Sequence, residues 1–536
     1  MQRILILLVF VYASASHAQI KSQVFVDGEL KDSRTFADTI QLTNYIERLQ
    51  LEWINKGYYF SGIDSLVSNG ESHIYLHKGE PLKVNLDVYK GKKLAKQLER
   101  ELDNYSNSGY PFASISLDSL SLNGEVLSGK LQIKSGPEIA YDSAYFFSPI
   151  KTNHSYIYQL LDIVPGGKFS ERSYAQISKK VERSSFLSIQ RPTDLSFRNK
   201  KAKVFLDLKE EAANTFQGVL GLQQNGSQSS TLVGNIELDI QNLFRFGKQF
   251  MFSWERFSEE SQRLNILYKH PFFLDSKISP SFRFDLLKQD TTFLTRQFGL
   301  GVYTYIAPRV ELFLEYEQTK GTLLSTDIQF LEGTGLAGFT RSLYSLRLSQ
   351  GNLMNLGRLT DGVVWAASGG AGRKSVDRNL DVPDAYYDTI QTNTNFYQFE
   401  GVFAYQLKTF KRQAFFHHLT AGSIENDQLL QNELYRVGGL TTLRGFNEKA
   451  IFARHYFLSR MEFRSFFEER SYAYVFYDQL IYQRRDLRDY PFGVGLGFAL
   501  ATSSGQFTFA LAVGNSENQS ISFSTMKAHF GYISRF

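Results

Sequence analysis

The sequence predicts α+β modules followed by an antiparallel transmembrane β-barrel of about sixteen strands. Three observations carry that expectation. Apolar and polar residues alternate with a two-residue period from about Asn214 onward. The connections between those strands alternate between tight and long. A unit of helix, Gly-Tyr turn and strands is repeated in the first third of the chain.

Residues 1–18 come first, with Arg3, an apolar run from Ile4 to Tyr12, and small residues at Ser16 and Ala18. This is the pattern of a secretory signal peptide cut before Gln19. The run is too short to cross a bilayer as a helix, which takes about 20 residues, and Gln19 is not the cysteine of a lipoprotein. The mature chain is therefore expected to be exported without a lipid anchor. It contains no Cys, which excludes a disulfide framework and a thiolate metal site. Mean hydropathy is only −0.26 although the chain holds 46 Phe and 30 Tyr. Barrels combine these properties because their apolar residues occupy alternate positions and their aromatics form girdles. The formal charge of +5 is spread without a basic block, so nucleic acid is not an expected partner.

The modules are read at 19–83, 84–139 and 140–211. Asn55-Lys56-Gly57-Tyr58-Tyr59-Phe60-Ser61 is echoed by Asn107-Ser108-Gly109-Tyr110-Pro111-Phe112-Ala113, at an offset of 109 − 57 = 52 residues. An amphipathic helix precedes each copy, carrying Leu42, Ile46, Leu49 and Trp53 in the first and Leu94, Leu98, Leu102 and Tyr105 in the second. Each copy leads into a strand pair that closes on Lys78-Gly79-Glu80-Pro81 or Lys134-Ser135-Gly136-Pro137. A third, diverged unit has a helical stretch after Gly167-Lys168-Phe169, with Tyr174, Ile177 and Val181, and a strand from Ala202 to Leu208. This order resembles that of POTRA domains, three of them, with two units plus a linker as the alternative. Unrelated α+β modules would give the same helices without the repeated turn.

From 212 to 536 the alternation takes over. Val310, Leu312, Leu314 and Tyr316 oppose Glu311, Glu315 and Glu317, while Tyr397, Phe399, Phe403 and Tyr405 oppose Gln398, Glu400 and Gln406. A soluble sandwich and a membrane barrel share this pattern, and loop lengths separate them. Strands are read from about 216, 231, 248, 262, 277, 294, 309, 339, 362, 395, 413, 452, 472, 493, 506 and 526, each near the 9 to 11 residues of a tilted span. Tight turns fall at Phe246-Gly247, Ala307-Pro308, Thr409 to Arg412, Glu468 to Ser471 and Ser503 to Gly505. Long loops fall at Leu323 to Ala337, Ser375 to Thr394 and Glu425 to Ile451, as in outer-membrane barrels with short periplasmic turns.

Leu443-Arg444-Gly445-Phe446, after Gly438-Gly439 in the last of these loops, resembles the (V/I/L)-R-G-(F/Y) motif of the BamA/TamA outer-membrane superfamily. Its members combine POTRA domains with a barrel of the bacterial surface antigen type and insert or translocate proteins. The resemblance implies that the loop between strands eleven and twelve folds into the lumen. Its arginine then meets acidic residues on strands twelve and thirteen, here Glu462 and Asp478, the latter in Phe476-Tyr477-Asp478, which is similar to the family's F-x-D-x-G. Tyr472, Tyr474, Phe476, Asp478 and Leu480 share one face, which would be the lumen; Leu480 replaces the family glycine and could crowd the loop. Arginine suits the role because its planar fork takes two carboxylate bonds and stays charged. The alternative is an ordinary outer-loop arginine. Gly234 to Glu237 with Asn242-Leu243-Phe244 and Gly247, and Tyr268 to Phe273, are similar to the family's second and fourth strands, and the aromatic end Phe530 to Phe536 is similar to its assembly signal.

Enzyme signals are poor. Gly369-Gly370-Ala371-Gly372-Arg373-Lys374-Ser375 fails the phosphate-loop spacing at Arg373 and reads as a strand end. The adjacent His417 and His418 point to opposite faces of a strand and cannot share a metal. The expectation is therefore no enzyme, cofactor or metal. Three units and sixteen strands look most TamA-like, which implies a bacterial outer-membrane location with the modules in the periplasm. The implied partners are unfolded outer-membrane or secreted clients, received at POTRA strand edges, the lipid bilayer, and a periplasmic or inner-membrane partner. Insertion would use a weak seam between Thr215–Asn225 and Lys527–Phe536, where Gly218, Gly221, Gly531, Tyr532 and Phe536 lie and the glycines weaken pairing. The alternatives are a dedicated pore of the two-partner-secretion type, whose members usually carry a plug helix and two POTRA domains, and a diffusion porin.

Overall fold

A computed structural model describes residues 20–68, 72–86, 94–225, 229–351, 362–388, 390–468, 470–485, 487–502 and 505–535. The signal peptide, its cut before Gln19, and Phe536 lie outside the described residues. The chain divides into two compact units: one runs to Asp142 and adds Gly166–Ser173 and Phe197–Ala202; the other comprises Ser143–Pro165, Tyr174–Ser196 and Lys203–Phe536.

In the first unit, helix Thr39–Asn55 starts at Asp38, whose carboxylate accepts the Gln41 N–H at 2.8 Å and so satisfies a donor the helix cannot. Leu42, Ile46 and Trp53 are buried against Val24, Phe36, Ile74 and Leu76. The sheet they cover has the spatial order Glu29–Phe36, Ile20–Val26, Ser72–His77, Gly62–Ser68. A second group has helix Leu94–Asn107 and a sheet in which Val126–Lys134 runs parallel to Lys83–Leu86 and antiparallel to Ser114–Asn123. Gly57 and Gly109 have φ of +99° and +100°, a region glycine enters without steric cost. Their carbonyls accept the N–H of Leu82 at 2.8 Å and of Ile139 at 2.7 Å. The Gly-Tyr repeat is thus one device used twice, tying each helix exit to the segment after its strand pair.

The second unit begins with an element the periodicity does not announce, helix His154–Leu161, capped by Asn153. Its Ile157, Leu160 and Leu161 are buried, as are Ile177 and Val181 of helix Ile177–Val181. The barrel follows as β1 (Thr215–Asn225), β2 (Ser229–Leu243), β3 (Lys248–Arg256), β4 (Gln262–Lys269), β5 (Ser279–Gln289), β6 (Phe293–Ala307), β7 (Val310–Leu323), β8 (Gly338–Gln350), β9 (Gly362–Asp377), β10 (Asn393–Phe410), β11 (Gln413–Glu425), β12 (His455–Phe466), β13 (Tyr472–Arg484), β14 (Phe492–Ala501), β15 (Gly505–Asn515) and β16 (Lys527–Arg535). Neighbours pair antiparallel and β16 pairs with β1, closing a sixteen-stranded barrel; a short strand, Leu487–Asp489, folds back on the end of β13.

The expected 9 to 11 residues per strand is too short for much of this barrel: β6 has 15 residues, β9 16 and β10 18. Roughly ten residues cross the hydrocarbon, and pairing continues beyond it because each added residue keeps its backbone groups bonded. The long loops are built rather than open. Helix Ile328–Thr334 and the turn Asp384–Tyr387 bring Leu331, Leu336 and Tyr387 onto Phe293, Phe339 and Leu430 in an apolar cap.

Side-chain polarity is inverted relative to a soluble sandwich. Leu300, Leu314, Tyr344 and Phe399 are exposed on the outside, while Asp285, Glu315, Glu317 and Arg341 are buried inside. An apolar exterior around a charged lumen is the arrangement of a barrel immersed in lipid. Gly369–Ser375 lies within β9, paired to both neighbours. His417 meets Tyr405 and Ser459, whereas His418 lies beside Phe416 on the other face.

Because every strand has two partners, the barrel should unfold as one unit. Full-length protein in detergent should run faster on an SDS gel unheated than boiled, and identical migration would exclude the closed ladder.

Candidate functional site

The connection from β11 to β12 is fastened at its outer end before it enters the lumen. Lys374 of β9 donates to Glu433 Oε2 at 2.6 Å, to the Gln428 carbonyl at 2.5 Å and to Asn426 Oδ1 at 3.2 Å, with both ion-pair side chains fully buried. Strands Tyr435–Val437 and Ile451–Ala453 then pair to form a neck. Below it the loop folds on itself: the Gly438 N–H donates to Thr442 Oγ1 at 2.8 Å, and the Leu440 N–H to Glu448 Oε1 at 2.8 Å.

Arg444 is 1% exposed. Its Nε donates to Asp478 Oδ2 at 2.7 Å, its Nη2 to Asp478 Oδ1 at 2.6 Å and its Nη1 to Glu462 Oε1 at 2.7 Å; its backbone N–H also reaches Asp478 Oδ2 at 3.2 Å. The guanidinium stacks 3.6 Å from the Phe476 ring centre. Burial alone would lower the pKa of this arginine, but Asp478 and Glu462 outweigh it and the net shift is upward. Two further arginines complete the network. Arg464 donates to Glu462 and to Gln406, and Arg460 holds the carbonyls of Thr441 and Leu440.

The backbone fits because side chains are absent where it passes. Gly445 has φ +90°, and a Cβ there would stand 2.7 Å from the main chain of Val513 and Gly514. At Gly493 of β14 a Cβ would lie 1.9 Å from the Arg444 carbonyl. Leu443 and Phe446 pack with Val437, Leu458 and Leu480. Leu480 therefore forms part of the apolar seat of the loop, and the crowding anticipated from its bulk is absent. The loop also reaches around the barrel: Lys449 forms an ion pair with Glu255 of β3, and Gln519, between β15 and β16, donates to the Gly445 carbonyl at 3.1 Å.

Among the described residues β1 and β16 pair over seven positions, from Thr215 opposite Arg535 to Gly221 opposite His529, against eight for β3 with β4, β4 with β5 and β15 with β16 and fourteen for β9 with β10. Gly218 stands opposite Tyr532 and Gly531 opposite Val219; a Cβ on Gly218 would meet nothing within 4 Å. Sequence reading missed Arg460, Arg464, Lys449, Glu255 and Gly493. Signals existed for some: Arg460, Glu462 and Arg464 recur at every second position of one strand, as do Gly493, Gly495 and Gly497. Among the described residues, no group of acidic or histidine side chains is placed to hold a metal ion.

No family model matches the chain, and no curated protein matches it. Among solved structures, CdiB from Acinetobacter baumannii is similar over 98% of this chain and 91% of its own, with TM-score 0.55 and 13% identity. CdiB from Escherichia coli is similar over 99% and 93%, with TM-score 0.53 and 13% identity. The fold is shared with these two proteins. BamA from Haemophilus ducreyi lacking POTRA domains 1–3 aligns over 84% of this chain and 94% of its own at TM-score 0.46 and 14% identity.

Two predictions follow from the geometry. Arg444→Ala leaves buried Asp478 with only Arg460, at 3.8 Å, and Glu462 with Arg464 alone, and should destabilise the loop by about 3–5 kcal/mol. Limited proteolysis between Gly438 and Ala450 should accelerate while the unheated gel shift persists; unchanged cleavage would show that the ion pairs do not hold the loop. Glu448 tests pH dependence, since burial raises its pKa from 4.5 to about 7. A raised carboxyl binds more protons folded than unfolded, so loop stability should fall as pH rises from about 4.5 to 7 and then level off. Glu448→Gln should remove that slope in thermal melts, and a slope that survives assigns it to another group.

Proposed function

We propose that this protein is an outer-membrane factor of the BamA/TamA superfamily that assembles or translocates polypeptides, with its N-terminal modules acting as periplasmic POTRA domains, in the TamA-like arrangement of three. The observation that carries the reading is the lumenal loop held by Arg444 between Glu462 and Asp478 inside a closed sixteen-stranded barrel. A diffusion porin needs an open bore. Here the loop ties opposite walls of the lumen together and an apolar cap packs over the outer ends of β6 to β9, so free diffusion is the weakest of the three functions.

Insertion through the wall is favoured over passage along the lumen by the seam. Its described pairing, at seven positions, is one fewer than that of β3 with β4 or β15 with β16, and Gly218 contributes no packing. A client strand would add to the edge that opens, gaining main-chain hydrogen bonds at each residue. Modules with exposed sheet edges, where Ile63, Leu66 and Val67 of Gly62–Ser68 are uncovered, would hand clients to that edge. The second reading, a dedicated secretion pore, is supported by two lumenal cavities that share Arg283 and Arg347 as lining residues and so lie in file.

A cysteine pair separates the readings. The natural chain has no Cys, so Gly218→Cys with Tyr532→Cys can form one defined crosslink across the seam. Oxidised, this variant should fail to assemble outer-membrane clients in cells and recover on reduction. Full activity while locked would eliminate lateral opening and leave the secretion pore.

A further inference from the structure

The end of the barrel that carries the tight turns encloses a cavity of about 840 Å³, roofed by Tyr156, Arg183 and Phe186 of the segment before the barrel. Its walls are aromatic, with Tyr303, Tyr305 and Phe313 from β6 and β7. Most of its charges are matched. Lys269 pairs with Glu311 at 3.3 Å, Arg283 with Glu315 at 3.3 Å, and Arg309 with Glu182.

Two arginines are not matched. Arg183 lies 4.4 Å over the Tyr305 ring and donates only to the carbonyls of Pro308 and Ala307. Arg347, half-buried, lies 5.5 Å from the Phe313 ring centre but forms neither a hydrogen bond nor an ion pair among the described residues, and its neighbour Arg283 adds like charge. The carboxylates nearest to Arg347 are engaged elsewhere: Glu311 by Lys269, Glu315 by Arg283 and Glu400 by Gln398. A guanidinium in a restricted cavity is costly unless an anion or water meets it. Arg347 and Arg283 also line a second lumenal cavity of about 360 Å³ under the Arg444 loop, so they form the neck between the two spaces.

We propose that this vestibule binds an extended polypeptide segment bearing carboxylates and aromatic rings, the carboxylates meeting Arg347 and Arg183 and a ring packing beside the half-buried Tyr305. The volume lies in the range of ligand sites, about 300–1,000 Å³, far more than one small anion needs, and aromatic walls give an inorganic ion nothing to bind. Arginine's fork is suited to carboxylate at such a neck. The proposal rests on the polypeptide-handling reading above and names the chemistry of the segment handled.

The test uses full-length protein in detergent micelles and a fluorescein-labelled Gly-Asp-Phe-Asp-Phe-Gly peptide, with Gly-Lys-Phe-Lys-Phe-Gly as its counterpart. The acidic peptide should bind and the lysine peptide should not. Arg347→Gln and Arg183→Gln should each weaken binding about tenfold, the size of one lost charge-assisted hydrogen bond, and Arg347→Lys should lose less than Arg347→Gln. Each variant is checked by the unheated gel shift. An Arg347→Gln protein that keeps its shift and binds like the parent overturns the proposal, as does equal binding of the lysine peptide or full displacement by inorganic phosphate. Failure here leaves the seam-lock result standing, because that assay reads assembly of whole clients, whereas an active locked seam with intact peptide binding removes only the insertion reading.

Discussion

The burial of one guanidinium governs the interior of this barrel. A charge taken out of water is tolerated only when opposite charge and hydrogen bonds replace the lost solvation, and Arg444 meets that condition with bonds from Nε, Nη1 and Nη2 to two carboxylates. Those carboxylates are oriented by others: Arg464 holds Glu462, and Arg444's own backbone N–H holds Asp478. The network fixes the loop to the facing strands β12 and β13, and the rest of the lumen conforms to it. Gly493 and Gly445 leave room for the backbone, and Leu480 fills the floor.

The same loop bridges both flanks of the seam. On one side it is held by β12 and β13 through Arg444 and by the β15–β16 connection through Gln519; on the other it is held by β3 through Lys449. The short pairing of β1 with β16 is therefore not the only link across that part of the wall. Side chains of the lumenal loop supply a second one, made of charge rather than backbone ladder. The two differ in how they respond to surroundings. A ladder hydrogen bond facing lipid has no competing water, and the buried Arg444 pairs are likewise shielded, while the partly exposed Lys449–Glu255 pair is open to weakening by solvent and salt.

Much of this architecture was legible in the chain. Strand positions followed from alternation and from turn residues such as Phe246-Gly247 and Ala307-Pro308, and the first residue of each strand falls within three positions of its expected place. Period-two patterns report which face a residue occupies, so the lumenal row through Asp478 could be read as well. Sequence spacing carries no information on which rows meet across the barrel. Nothing near Lys449 indicates Glu255, almost two hundred residues away, because that ion pair depends on the circumference of the closed sheet. Strand lengths were underestimated because the bilayer sets only the minimum span, and beyond it each paired residue keeps its backbone groups bonded.

Closure of the two ends follows different physics, and the difference bears on transport. The cap at the long-loop end is apolar, with Phe339 and Leu331 almost fully buried, so its cohesion is non-directional and opening it exposes hydrocarbon to water. The loop deeper in the lumen is held mainly by charges with defined partners, Arg444 with Asp478 and Lys449 with Glu255. Such contacts can be exchanged one for one with carboxylates or cations of another chain, whereas the cap offers no equivalent substitution. Along the lumen from the tight-turn end, Arg347 and Arg283 stand first and the ion pairs of the loop next, so the interior is polar over this length and apolar only at the cap.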